Sequence, residues 1–333
     1  MRWLKGLLLV LVIMSVAIGG GWLWWQYKLD QPIALQSPTV YEIRSGMGAS
    51  QIIDELHERS IIKERWPYQV LGVIEPARLR ALRAGEFEIQ PDMNAHALLG
   101  KLSSNDVVRY RLTIPEGRTF AQMRKLLNQA EPLEHKTRSM TDEEIMTALG
   151  MEGEFPEGWF FPDTYQWRKG ATDLELLKRA HDRMVSTLNE IWASRQPDLP
   201  LDSPYEALIL ASLIEKETGA PDERTRIAGV FVRRLEKGMR LQTDPTVIYG
   251  LGQAYNGSLT RADLTRSTRW NTYVIQGLPP TPIAMPGRAS LEAAVNPADG
   301  DALYFVSKGN GEHQFSATLE EHNAAVRRYI LNR

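Results

Sequence analysis

Two glutamates close an apolar run in "LILASLIEKETGAPDERTR", residues 208 to 226. Leu210, Leu213, Ile214 and Glu217 lie at i, i+3, i+4 and i+7, so Glu217 extends an apolar helical stripe. Glu215 is turned about 200° away from Glu217, in line with Leu208, Ala211 and Ser212. Both upstream faces are apolar, which predicts a helix buried nearly all round and stopped by Gly219 and Pro221. A carboxyl at a helix C-terminus meets the negative end of the dipole, and apolar neighbours strip its water; both effects favour the protonated form. A proton held near neutral pH is what a general acid needs, and Glu217, nearer the end and on the stripe, suits that role better than Glu215. The alternative is structural: one of the two pairs with Lys216, Arg224 or Arg226 and does no chemistry.

Three other stretches carry groups suited to a sugar. "LQTDPTVIYG" (241–250) sets Gln242, Thr243, Asp244 and Tyr249 around a turn fixed by Pro245. "RWNTYVIQGLPPTPIAMPG" (269–287) offers Asn271, Thr272, Tyr273 and Gln276, followed by a rigid Pro-rich loop. "EGWFFPDTYQW" (157–167) adds aromatic platforms with Asp163 and Glu157, and Glu223 follows six residues after Glu217. Amides, hydroxyls and aromatic faces together suit a glycan cleft, although any one of these stretches alone also describes ordinary core and loop. Gln242, Asp244, Tyr249, Asn271, Tyr273, Asp163 and Glu223 are the candidate substrate contacts. Other chemistries lack their residues. The six histidines (His57, His96, His135, His181, His313, His322) are scattered with no metal-ligand spacing, so no metal is expected. There is no cysteine, and no phosphate-binding loop, dinucleotide fingerprint or nucleophile elbow, so no cofactor is expected either. A net charge of −2 in 333 residues argues against nucleic acid as a partner.

The elements that must position these groups predict an α+β chain in several parts. Residues 1–5 form a short tail with Arg2 and Lys5. Residues 6–26, "GLLLVLVIMSVAIGGGWLWWQ", are uncharged and long enough to cross a bilayer as one helix. Trp22, Trp24, Trp25 and Tyr27 form an aromatic belt at its far end, and the basic tail orients the N-terminus to the cytoplasm. The bulky tryptophans where small residues would mark cleavage favour an uncleaved anchor over a signal peptide. Residues 27–38 read as a tether. Over 39–138 a strand–turn–helix unit recurs three times, from Glu42, Glu88 and Thr113, with Ile43, Ile89 and Ile114 in the strands and Asn94 and Thr119 as N-caps of the last two helices. This repeat resembles LysM-type glycan-binding modules; a plain packing or spacer domain is the alternative. Residues 139–333 form a mixed α+β catalytic domain, with helices over "TDEEIMTALG", "TDLELLKRAHDRMVSTLNEIWASR", "LILASLIEKE", "TRIAGVFVRRLEKG" and "HNAAVRRYILNR" and a loop-rich stretch between the last two.

The strings "EGWFFPDTY", "ASLIEKET", "RLEKGMRLQTDPTVIYG" and "NTYVIQGLPPTPIAMPG", followed by "LYFV", "HQF" and "EHN", resemble the endolytic murein transglycosylase family in order and over nearly the whole chain. The resemblance implies a single-pass protein of the bacterial inner membrane with a periplasmic catalytic domain. It implies an endolytic cut in nascent glycan strands at the MurNAc–GlcNAc β-1,4 bond, without hydrolysis, leaving 1,6-anhydroMurNAc ends. The second glutamate of the family's EKE motif is the acid and base, and it maps onto Glu217. No cofactor is implied; peptidoglycan glycan strands and, through the family, peptidoglycan synthases are the implied partners. Gly219 stands where some relatives carry Ala, which alters the turn but not the acid. Two other readings stay open: a membrane-anchored peptidoglycan-binding scaffold, and a muramidase that hydrolyses the same bond using Asp163 or Glu223 as a second carboxylate.

Overall fold

The computed structural model describes residues 2–331 and divides into two compact units. One holds the residues up to Tyr110 together with Trp167–Lys169; the other holds Arg111–Gln166 and Gly170 onward.

The first unit starts with α1 (Arg2–Asp30), whose stretch from Trp3 is long and apolar enough to cross a membrane, with mean hydropathy 2.3. It continues with β1 (Thr39–Ile43), α2 (Ala49–Glu58), α3 (Trp66–Ile74), α4 (Pro76–Arg80), β2 (Gly85–Ile89) and α5 (Ala95–Ser103). β1 and β2 pair antiparallel, Tyr41 opposite Phe87, and the inward residues of both strands join Ile52, Leu56, Leu98 and Leu102 in one core. Each fully buried side chain of this size contributes about 1.5–3 kcal/mol. Residues 27–38 are not a free tether. α1 runs on to Asp30, and Trp25, Leu29 and Ile33, spaced by four residues, are buried in this same core.

The second unit takes in β3 (Tyr110–Thr113) from Arg111 on, α6 (Phe120–Gln129), α7 (Asp142–Ala148), β4 (Thr164–Trp167) up to Gln166, α8 (Asp173–Ala193), α9 (Pro204–Glu217), α10 (Arg224–Glu236), α11 (Asp244–Leu251), α12 (Arg261–Thr265), α13 (Arg288–Val295), β5 (Tyr304–Ser307), β6 (His313–Ser316) and α14 (Leu319–Val326). The third copy of the repeat therefore does not extend the first two. β3 pairs with β4, far along the chain, so the division falls at Tyr110 rather than near residue 138. Local capping follows the sequence closely. Asn94 accepts from the Ala97 amide, and Thr119, Thr141 and Thr172 each close a capping box with Gln122, Glu144 and Glu175. β5 and β6 form an antiparallel hairpin inside the stretch expected to be loop-rich.

α9 is the axis of this unit, packed by α8, α10, α11 and α13. Every residue from Ala207 to Ile214 is buried, as its two apolar faces predict. The Pro-rich segment is no surface loop. Thr281 through Met285 lies buried, with the Ile283 amide donating to Ser212 Oγ on α9 at 3.0 Å, the Met285 amide donating to the Arg118 carbonyl at 2.8 Å and the Gly117 amide donating to the Met285 carbonyl at 2.9 Å. Proline leaves few amide donors in such a strand-like segment, so it can be buried with its remaining ones satisfied. Gly158 approaches it so closely that a Cβ there would meet Pro282 at 2.6 Å.

Candidate active site

Glu217 is the last residue of α9 and the two glutamates of the motif part company there. Glu215 Oε2 accepts from Ser290 Oγ at 2.6 Å and from the Gly287 amide at 3.1 Å, tying α9 to the first turn of α13. That is an acidic side chain serving a helix N-terminus, and neither Lys216, Arg224 nor Arg226 is its partner. Lys216 Nζ instead reaches the Gly117 carbonyl at 3.3 Å.

Glu217 keeps partial solvent access, and its Oε1 accepts a short hydrogen bond from Thr243 Oγ1. Burial pushes its carboxyl up to about 7; the nearby Asp244 charge adds to the rise, while the Thr243 hydroxyl and the Arg234 guanidinium oppose it. Thr243 is itself fixed by a buried set of threonines. Its amide donates to Thr272 Oγ1 at 3.0 Å, its carbonyl accepts from Thr246 Oγ1 at 2.7 Å, and the Thr246 and Thr272 hydroxyls meet at 2.8 Å. Gln242, just before it, sits at φ 51, a left-handed conformation costly for a residue with a Cβ, and its amide donates to the Thr272 carbonyl at 3.2 Å. The segment expected to be a Pro-fixed turn is the first turn of α11, with Pro245 near its start. Arg234 is buried and donates to the carbonyls of Leu303, Arg240 and Leu241, at 2.7, 3.2 and 2.8 Å, holding the approach to Thr243. Asp244 is exposed beside Glu217 and accepts from Tyr273 Oη at 2.6 Å.

A second carboxyl in this unit titrates near neutrality. Burial raises Glu157 to about 7 against the donors that favour its ionised form: the Phe120 amide at 2.9 Å, Tyr249 Oη at 3.0 Å and the Gly158 amide. It lies in the wall of a cavity of about 820 Å³ with Gln122, Phe155, Tyr249 and Trp270. Tyr249 meets Trp270 edge to face at 5.3 Å, and Phe155 lies 6.4 Å from the same indole. Lys216 and Pro245, the chain neighbours of Glu217 and Asp244, also line this cavity, whereas Glu217 and Asp244 do not. Aromatic faces with a few polar groups in a cavity of this size are suited to a sugar ring.

The YceG-like family model matches residues 41–328. The chain belongs to this family. An endolytic murein transglycosylase of Bacillus subtilis strain 168 is 32% identical over 95% of this chain and 92% of that protein. An endolytic murein transglycosylase of Streptococcus pneumoniae serotype 2 strain D39 is 25% identical over 96% of this chain, which spans 64% of that longer protein. The 2.6 Å crystal structure of a YceG-like protein from Listeria monocytogenes is 30% identical, covers 87% of this chain and superposes with a TM-score of 0.56.

Within this YceG-like chain the expected site residues fall into two groups. Glu217, Asp244 and Tyr273 gather at the C-terminus of α9, Gln242 is exposed just before Thr243, and Tyr249 lines the cavity beside Glu157. Asn271, Asp163 and Glu223 are engaged elsewhere. Asn271 is fully buried, with its amide nitrogen donating to the carbonyls of Asp263, Leu264 and Arg266 at 3.2, 3.2 and 2.8 Å. Asp163 pairs with Arg183. Glu223 is buried and accepts from the His313 amide at 2.8 Å, with His313 Nδ1 at 2.7 Å from its other oxygen. Sequence reasoning does not reach the roles of Thr243 and Arg234. Thr243 stands within the quoted motif, next to Asp244, but a hydroxyl partner across 26 residues has no local periodic signal.

Proposed function

We infer that this chain is an endolytic murein transglycosylase: a lytic transglycosylase that cuts peptidoglycan glycan strands internally. Glu217 is assigned as its single acid and base. The observation that carries this is one carboxyl at the C-terminus of α9, raised to about 7 by burial and met by a single side-chain donor, Thr243. Glu217 gives its proton to the glycosidic oxygen as the C1–O bond breaks. The carboxylate formed then takes the proton of the MurNAc 6-hydroxyl while that oxygen bonds to C1, closing a 1,6-anhydro ring without consuming water. One group thus returns to its starting state, and no second carboxylate is required, unlike the usual glycoside hydrolases. Asp244 and Tyr273 are assigned to substrate positioning, with Tyr249 and Trp270 as a sugar platform. Gln242 is assigned to the mouth of the site.

The finer architecture follows the same reading. α1 crosses the inner membrane once with its N-terminus in the cytoplasm, and both units face the periplasm. The first unit is a LysM-like glycan-binding module; its pair of β–α repeats around β1 and β2 supports this. Peptidoglycan synthases are the partners the family reading brings with it.

Hydrolysis by a muramidase is the second reading, and Asp244 is the carboxylate that favours it, because its charge is felt at Glu217. Asp163 and Glu223 lose support as second carboxylates through their pairing with Arg183 and His313. Glycan strands digested by the full chain and separated by mass spectrometry decide between them. Products ending in 1,6-anhydroMurNAc support the transglycosylase, and reducing ends would replace it with the hydrolase. Intact strands would leave only a binding role.

A further inference from the structure

Helix α3 is apolar beyond the face it turns into the core. At about 100° per residue, Trp66, Val70 and Val73 form one stripe with Ile74 beside it, while Pro67, Tyr68 and Leu71 occupy the face turned into the core. The core-facing residues are buried, but Val73 is 83% exposed and Ile74 46%. Trp66 and Val70 are partly buried and pack against the core of the first unit, which leaves Val73 and Ile74 facing water, a poor partner for them.

The start of that stripe lies against the anchor. The Trp66 ring stacks on Trp24 of α1, with centroids 4.8 Å apart and planes at 15°. Trp25 Nε1 donates to the Pro67 carbonyl at 2.9 Å, and Lys28 pairs with Glu64 at 2.6 Å just before α3 begins. Tryptophans that close an apolar span sit at the boundary between hydrocarbon and headgroups. The first turn of α3 is therefore held at that level by two tryptophans and an ion pair. Its exposed stripe runs on from there.

We propose that α3 lies along the headgroup layer of the bilayer that α1 crosses, with Val73 and Ile74 against lipid, so that the first unit is seated on the membrane. The partner is a phospholipid surface. This rests on the reading of α1 as a membrane span, and a helix of this composition lying in the interface gains stability from each apolar side chain it withdraws from water.

The chain has no cysteine, so a single one can be introduced and spin-labelled without background. Val73→Cys replaces an exposed residue, and Gln51→Cys on the exposed side of α2 and Val12→Cys inside the span serve as references. Full chains are reconstituted in vesicles of phosphatidylethanolamine and phosphatidylglycerol. Each label's collisions with membrane-dissolved oxygen are then compared with its collisions with a water-soluble nickel chelate. The oxygen-to-nickel ratio at position 73 is expected to exceed that at 51 several-fold and to approach that at 12. A ratio at 73 equal to that at 51, with 12 remaining high, overturns the proposal and leaves the span intact. A low ratio at 12 as well removes the span and the proposal with it.

Discussion

Replacing Glu217 with Gln should inactivate the protein and, above neutral pH, make it more stable. Burial has raised this carboxyl from its ordinary 4.5 to about 7, so the folded chain holds a proton that the unfolded chain has released throughout that interval. The sign follows from linkage. A raised carboxyl contributes its full stability below pH 4.5 and loses it as pH rises through about 7, because folding must then either hold the proton or bury the charge. Gln is neutral at every pH and does not follow this decline. Each pH unit over which only the folded chain keeps the proton is worth about 1.36 kcal/mol, so the stability gap between Glu217→Gln and the native chain should widen by about 2.5 kcal/mol between pH 5 and pH 8. For a unit of this size that is about 5–10 °C in the unfolding temperature.

Glu157 titrates over the same interval in both proteins, so its contribution cancels in the difference. The assay is thermal or urea unfolding of both full chains in the same detergent at several pH values, followed by tryptophan fluorescence. Strand cleavage is measured alongside and should fall at least about 100-fold, the lower end of what a general acid supplies. A stability difference that stays flat with pH would refute the reasoning, since Glu217 would then hold no extra proton whatever the variant did to activity. Retained cleavage in the variant would refute the assignment of the acid directly.

Thr243→Val removes the one hydroxyl that steadies the ionised form of Glu217, so the alkaline limb of the pH–rate profile should move upward by up to about one pH unit, the worth of one hydrogen bond. Glu215→Gln should leave cleavage within a few-fold of native while lowering stability by about 1–2 kcal/mol, because Ser290 and the Gly287 amide lose a charged acceptor. Asn271→Ala should cost about 1–3 kcal/mol in unfolding experiments by removing the buried amide that holds the carbonyls of Asp263, Leu264 and Arg266, with the KM of the folded enzyme unchanged. A raised KM at full stability would instead restore Asn271 as a substrate contact.

What the amino-acid pattern reveals here is what repeats locally. The 3.6-residue period of α9 separates Glu215 from Glu217, and Asn94 and Thr119 announce their helices because a cap and its acceptor lie within one turn. Pairings across long intervals leave no such trace. Ser290 meets Glu215 across 75 residues and Thr243 meets Glu217 across 26, and α13 itself lies in a stretch that reads as loop. Asn271 shows the limit from the other side. Its amide could serve a sugar or a set of carbonyls, and only the fold of the 263–271 segment around it decides for the carbonyls. The third strand–turn–helix copy matches the first two in its apolar offsets, yet its strand finds β4 as partner and leaves their sheet.

Two carboxyls in the second unit sit near pH 7, and the difference between them explains why one can do chemistry that the other cannot. Glu157 accepts from two backbone amides and a tyrosine hydroxyl, which fix both of its oxygens. A proton on it has no free direction in which to leave, and its value to the fold is to hold Tyr249 beside Trp270 in the cavity wall. Glu217 has a single side-chain donor, and that donor is a hydroxyl able to rotate away, on a residue locked only through its backbone and its neighbours. Its second oxygen has no hydrogen-bond partner among the described residues, and the side chain retains access to solvent. Equal proton affinity therefore does not mean equal use. An acid that must give up a proton and take one back within a single turnover needs a free lone pair as much as it needs a raised pKa, and that requirement is met at the end of α9.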